Sequence, residues 1–324
     1  MLHHLIYDKL TSLRLKGIAI LFMLIFHLFT PNPTYNMGDV LFSFSGIDKL
    51  LGIFCNRTVP IYLFITGYAL AMHTLSWRKI FQKTIFIYKR IWLLALIFIP
   101  TLLFAKKIQW SFSIFLHTIT LGDGYIRIWW YASFYIMILC LYTLYDKISL
   151  PIRKYFSCFF ILISLCTYFF IDDDKQLPYY VNRFSKFTIF LILGIVSYKT
   201  NLFGRIKTNR LVSCFIFILI FLLDFTIKDE VLYKAYRLVT FPMLMVCLID
   251  ICDNKIASGF LNVLGKHSTN IWLIHGFFFY YYAEYTYLPR YFIFVLFTFL
   301  FINIIASHLF NKLCNISIDK IMHI

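Results

Sequence analysis

Apolar stretches reaching about 17–20 residues, the span of a bilayer core, recur from one end of this chain to the other. No arrangement of soluble helices or strands hides so many at once. In lipid, where no water satisfies a bare backbone, the choice narrows to helices or a closed barrel. The short alternating segments that mark a barrel are missing. Composition agrees: the 324 residues are 61% hydrophobic and 14% charged, against about 25% charged in a soluble domain. The expected fold is all-α, a polytopic membrane helical bundle.

Ten spans are expected, near residues 13–31, 57–74, 86–105, 128–145, 155–171, 184–198, 211–227, 236–250, 268–284 and 290–311. The first reads as a retained helix rather than a cleaved leader. It is long, Pro31 and Pro33 follow it, and no small-x-small site appears nearby. An even number of spans puts both termini on one side. That side holds 19 of the 31 Lys and Arg residues, Arg78, Lys79, Arg153 and Lys154 among them. The other side holds 12, together with ten of the 15 Asp and Glu residues. Short basic loops stay in the cytoplasm, so both termini are expected there, in a cell (inner or plasma) membrane. The net charge of +16 then sets topology, and membrane lipid rather than nucleic acid is the expected partner. The loops are short, so residues 1–324 are expected to form a single membrane-embedded domain with no soluble part. The outer loop 106–127 contains "IQWSFSIFLHTITL", too short and too mixed to span. An amphipathic helix in the outer interface is expected there.

Eight cysteines are scattered along the chain, no CxxC pattern occurs, and only Cys247 and Cys252 are close in sequence. Neither a disulfide framework nor a metal site is expected.

Polar residues inside such a chain need a reason. In "LKGIAILFMLIFHLF" (Leu15 to Phe29), Lys16 and His27 are eleven residues apart. Eleven residues turn a helix through about 1100°, within about 20° of three full turns, so the two share a face about 16 Å apart along the axis. Arg14 does not share it. Ionisable groups in a span usually face the interior and are functional. A histidine pointing into outer headgroups is the other reading, and both stand at this point. In "RTVPIYLFITGYALAMH" (Arg57 to His73), Pro60 falls in a first turn, where no backbone donor is lost, and Gly67 permits close helix packing. Arg57 opens this span level with His27; snorkelling to the outer surface is its bland reading. In "QKTIFIYKRIW" (Gln82 to Trp92), Lys83, Lys89 and Arg90 sit at the cytoplasmic mouth of the third span. Such a cluster suits phosphates, Lys as a point charge and Arg as a fork; it equally suits topology and anionic lipid.

The fourth stretch is "LGKHSTNIWLIHGFFF" (Leu264 to Phe279). Gly265, Lys266, His267 and Ser268 are expected to form an inner loop and helix start, with Ser268 as N-cap. His275 lies two turns in, on the same helix as Trp272. Asp224, near a span end, is expected to face the outer interface. Asp172, Asp173 and Asp174 read as a solvated turn, or as three carboxylates able to attract a cation. His3, His4 and His323 are terminal and are given no role.

The segments "LRLKGIAILFMLIFH", "VPIYLFITGYAL", "YKRIWLL", "WWYASFYIMILCLY" and "LGKHSTNIWLIHGFF" occur in this order. Together they resemble the signature segments of the acyltransferase-3 family of integral membrane acyltransferases, from about residue 12 to about residue 310. The resemblance implies about ten spans and transfer of an acyl group, usually acetyl, from cytoplasmic acyl-CoA. The implied acceptor is a sugar hydroxyl of a surface polysaccharide or its lipid-linked precursor. Lys16 and His27 match the family's pattern of a basic residue, ten others, then histidine, although arginine is usual where Lys16 stands. Lys89 and Arg90 match a cytoplasmic arginine cluster, again with one lysine. His275 matches the histidine of a late segment. Some branches carry an aspartate where this chain has Pro60, so that helper for His27 is missing.

The resemblance implies roles. His27 is the expected general base, since histidine accepts a proton near neutral pH, or the residue that carries the acyl group. Lys16, Lys83, Lys89 and Arg90 are expected to hold the phosphates of CoA. Arg57 is expected to steady an oxyanion or the acceptor, and His275 to orient the thioester or complete a polar path. No cofactor is expected to be bound permanently; acetyl-CoA, or another acyl-CoA, is the donor substrate. Two other classes fit the spans and histidines: a flippase for a polysaccharide precursor, and a non-catalytic member of a glycan-synthesis complex. A flippase would not explain the ordered segments, while the missing aspartate and the two lysines in place of arginine favour the non-catalytic member.

Overall fold

The computed structural model describes residues 3–4, 7–30, 46–122, 124–170 and 179–322. In chain order the elements are β1 (His3–His4), α1 (Lys9–Phe29), α2 (Ile47–Cys55), α3 (Thr58–Met72), α4 (Trp77–Phe104) and α5 (Phe112–Thr120). A 3₁₀ turn (Arg127–Trp129) leads into α6 (Trp130–Asp146), followed by α7 (Leu150–Phe170), α8 (Tyr179–Lys199), α9 (Leu202–Arg205) and β2 (Lys207–Thr208). Then come α10 (Arg210–Thr226), α11 (Glu230–Ile251), α12 (Lys255–Tyr281), α13 (Ala283–Thr286) and α14 (Phe292–Met322).

Each of the ten expected spans falls on a helix. Eight helices are long and apolar enough to cross a membrane by length and composition. The other two are α10 and α12. At 17 residues, α10 rises only about 25 Å, short of a core about 30 Å thick. The first 16 residues of α12 carry Lys255, Asn262, Lys266, His267 and Asn270. Helices also begin earlier than their apolar runs. Helix α4 starts at Trp77, nine residues before the expected span, with the Ser76 hydroxyl accepting from the Lys79 amide. Lys and Arg are good helix formers, so basic stretches expected as loops continue the helices. The short helix expected within 106–127 is present as α5, capped by Ser111. It exposes Phe112, Ile114 and Leu116.

The expectation for the start of the ninth span is overturned. Gly265 to Ser268 form no loop and Ser268 caps nothing, because α12 runs unbroken from Lys255 to Tyr281. The reason is packing. A Cβ at Gly265 would overlap the Leu13 backbone carbonyl, so glycine there serves a helix contact rather than a turn. Asp172, Asp173, Asp174 and His323 lie outside the described residues.

The chain forms two compact units. One comprises residues 1–19, 56–75 and 141–265. Its centre is the crossing of α3 and α8, where backbones meet through glycine. A Cβ at Gly67 would strike the Leu191 carbonyl, and one at Gly194 would strike the Phe64 carbonyl. Small residues allow this approach in membranes. Phe64, Phe203, Phe241 and Phe190 pack edge to face around it. Tyr7 lies over Tyr68 at 3.9 Å, and His3 and His4 pair with Thr208 and Lys207, so the terminal histidines belong to a small sheet. Gly67→Val is expected to lower stability by about 1–3 kcal/mol through overpacking. Thermal melting in detergent checks this; an unchanged midpoint would mean that α3 and α8 do not cross at contact distance.

The other unit comprises residues 20–55, 76–140 and 266–324. Its core gathers α4, the start of α6, the second part of α12 and α14. Trp129 is fully buried and donates its indole N–H to the Leu273 carbonyl at 2.8 Å. Trp272 donates to the Ile128 carbonyl at 3.2 Å, and Phe98 stacks on Phe277 at 3.9 Å. These bonds fix how α12 is rotated, and so where its histidine points.

Candidate active site

Helix α1 carries His27 in its last turn. That turn is fastened within its own unit. The Tyr287 hydroxyl donates to the Leu28 carbonyl at 2.8 Å, filling one of the acceptors a helix end leaves bare. Phe29 packs on Phe292 at 4.3 Å. His27 is partly exposed and rests against Phe26 and Phe279. Its third ring neighbour is His275, 5.1 Å away centroid to centroid. All three of these ring neighbours belong to the same unit as His27.

His275 is completely buried. Its Nδ1 lies 2.8 Å from the Trp272 carbonyl and 3.2 Å from the Ile271 carbonyl. Two carbonyls can only accept, so Nδ1 carries the proton and Nε2 keeps its lone pair. Nε2 has no hydrogen-bond partner. A buried, unsatisfied nitrogen costs about 1–3 kcal/mol and marks a place where a donor belongs.

Lys16 stands eleven residues before His27 on the same unbroken helix and is partly buried. The shared face expected from the spacing is therefore kept. The basic group on α4 spreads by depth: Lys83 is exposed, Lys89 is partly buried and Arg90 is buried. Arg90 donates through Nε to the Asn270 side-chain oxygen at 3.2 Å and through Nη1 to the Phe86 carbonyl at 3.2 Å. Its guanidinium also sits over the Phe86 ring at 3.6 Å. Asn270 passes the network on, donating to Asn311 at 2.7 Å. His267 meets the Ser307 hydroxyl at 2.8 Å.

Sequence reasoning missed the α14 side of this network. Asn303, Ser307 and Asn311 recur every four residues, so they form one stripe, and Asn303 and Ser307 are fully buried. A polar stripe in so apolar a helix was a readable signal, since such residues join helices across a membrane. Asn270 stands five residues before His275, about 7.5 Å along α12.

Arg57 belongs to the first unit and is not a snorkelling residue, being 2% exposed. Asp224 does not face an interface either. Its carboxylate is fully buried and forms a two-pronged ion pair with Arg57, Nη1 to Oδ2 at 3.0 Å and Nη2 to Oδ1. Nearness to a span end suggested water; the counter-ion on α3's leading edge removes the need for it. Among the described residues no group of three or more His, Cys, Asp or Glu side chains is placed to hold a metal.

A family model described as an acyltransferase domain matches residues 14–311. No curated protein and no solved structure matches the chain. The matched stretch takes in Lys16, His27, Arg57, Lys83, Lys89, Arg90, His275 and the whole stripe on α14.

Proposed function

The chain belongs to the acyltransferase-3 family, and we propose that it moves an acyl group, acetyl above all, from cytoplasmic acyl-CoA to a hydroxyl of a cell-surface polysaccharide or its lipid-linked precursor. The observation that carries the proposal is the pairing of His27 with His275 inside one unit. An alcohol attacks a thioester slowly unless a base takes its proton. A neutral imidazole near neutral pH does so without a metal's help. His27, the more accessible of the two, takes that role, or carries the acyl group itself.

Within the second unit the phosphates of CoA fall to Lys83, Lys89 and Arg90. Lys83 and Lys89 offer mobile point charges, while Arg90 is held by Asn270 and Phe86. Arg57, 2% exposed and paired with Asp224, is left out of the chemistry and forms a buried ion pair of the first unit. Asp224 takes two of its N–H donors. The protein works in the cell membrane with both termini in the cytoplasm.

The test supplies radiolabelled acetyl-CoA to membranes of producing and deleted cells. Label is expected in the surface glycan fraction only when the protein is present. Equal labelling would sink the proposal. A flippase would also fail to bind CoA at all, so binding to purified protein separates the classes. Lys83→Gln with Lys89→Gln is expected to weaken acetyl-CoA binding about 10- to 100-fold, the loss of charge-assisted contacts of about 1.5–3 kcal/mol, with the melting temperature unchanged. Calorimetric titration checks this, and unaltered affinity would remove the phosphate role from these lysines.

A further inference from the structure

The family pattern leaves His27 without a helper, because Pro60 stands where some branches have an aspartate. We propose that His275 is that helper: a positioning residue whose bare Nε2 accepts a hydrogen bond from His27 and so fixes which nitrogen of His27 meets the acceptor hydroxyl. The inference rests on the reading of His27 as the general base.

Geometry supports it from both rings. Carbonyls of α12 hold the Nδ1 side of His275, so the lone pair on Nε2 points away from that helix. The centroid of the His27 imidazole lies 5.1 Å away. The terminal torsion of histidine is soft. The proposed bond needs a turn of His27 about it, so that an N–H approaches Nε2 to the usual hydrogen-bond distance of about 2.7–3.2 Å. His275 is fully buried, so no bulk water competes for Nε2. In a serine triad a carboxylate orients the base by accepting from its second nitrogen. Here a neutral imidazole, locked in one tautomer by its own helix, supplies the acceptor without burying a charge.

The reaction balances without any further reagent. His27 enters neutral, one nitrogen donating to His275 Nε2 and the other free. The free nitrogen takes the proton of the acceptor hydroxyl as its oxygen bonds to the thioester carbon. The carbon–sulfur bond then breaks, the thiolate leaves as CoA, and the imidazolium returns its proton to that sulfur. His27 ends neutral. His275 shares the developing positive charge through the N–H···N contact and is unchanged at the end.

Two substitutions separate the halves of the His275 ring. In His275→Asn the amide N–H can still serve the Trp272 carbonyl, but the distal acceptor is gone. In His275→Gln the longer side chain places an oxygen near the position of Nε2. His275→Asn is expected to lower kcat about 100-fold, the scale of a general-base contribution, with KM for acetyl-CoA within about twofold. His275→Gln is expected to recover at least about a tenth of the wild-type rate and to shift the acid limb of the pH–rate profile. Equal kcat for the two variants would overturn the proposal, as would a rise in KM with kcat unchanged.

Spectroscopy covers the case in which a variant fails to fold. In ¹⁵N-histidine-labelled wild-type protein, one imidazole should show the Nδ1–H tautomer, and its Nε2 resonance should move in His27→Ala. An unmoved Nε2 resonance overturns the inference. The two readings fail differently. Full activity in His27→Ala sinks the base itself, whereas an inactive His27→Ala beside a wild-type His275→Asn sinks only the helper.

Discussion

Replacing His27 by alanine is expected to cut acyl transfer by about 100- to 10,000-fold, the range of a positioned general base, while leaving the protein folded in the membrane. The lower end corresponds to about 2.7 kcal/mol on the barrier. Little stability should go with it. His27 is only partly buried, and its neighbours are the rings of Phe26, His275 and Phe279. The end of α1 is held by other contacts, the Tyr287–Leu28 hydrogen bond and the Phe29–Phe292 pair. Loss of rate should therefore appear with unchanged protein level and melting temperature. Labelled acetate on the surface glycan is the readout, and wild-type labelling would remove His27 from both of its possible roles. A single-turnover reaction denatured rapidly at neutral pH, where an acyl-imidazole survives the quench, separates those roles. A base leaves no label on the protein, while an acyl carrier leaves label that His27→Ala abolishes.

The spans were readable because hydropathy and length alone decide them. Their ends were not, because Lys and Arg prolong a helix as readily as they form a loop; α4 gains nine residues this way. The shared face of Lys16 and His27 follows from helix geometry and holds in the structure, as does the close approach at Gly67. The partners of these groups are a different matter. No spacing rule links His27 on α1 to His275 on α12, or Arg57 on α3 to Asp224 on α10. Such pairs depend on which helices meet, which is settled by the packing of large apolar faces that all look alike in sequence. The run from Gly265 to Ser268 misled for a related reason. Glycine, lysine and serine together suggest a loop in water, yet inside a bundle glycine marks a backbone contact and the polar side chains bond to a neighbouring helix. The stripe Asn303, Ser307, Asn311 carried a sequence signal in its four-residue spacing that went unread.

Asp224→Asn is expected to destabilise the protein by about 3–5 kcal/mol, the cost of breaking a buried ion pair by removing one partner. The carboxylate and the Arg57 guanidinium are 0% and 2% exposed, so neither can turn to water. Asparagine keeps the shape and can still accept one bond, but it leaves the guanidinium charge unbalanced. The neighbourhood makes this worse. Arg237 on α11 donates to the Asn56 carbonyl at 2.7 Å and lies over the Tyr233 ring, close enough to Arg57 for the two cations to repel. Removing Asp224 thus leaves the Arg57 guanidinium without its counter-ion in an apolar setting. Arg57→Met should cost less than Asp224→Asn, because it leaves a carboxylate with a cation, Arg237, still near. The double variant Arg57→Met with Asp224→Leu should be more stable than either single one, since a buried pair replaced by apolar side chains of similar volume is often neutral. Thermal melting in detergent across the four proteins gives the coupling directly. Additive effects would show that the two residues do not hold each other, and would return Asp224 to the surface where its position in the sequence first put it.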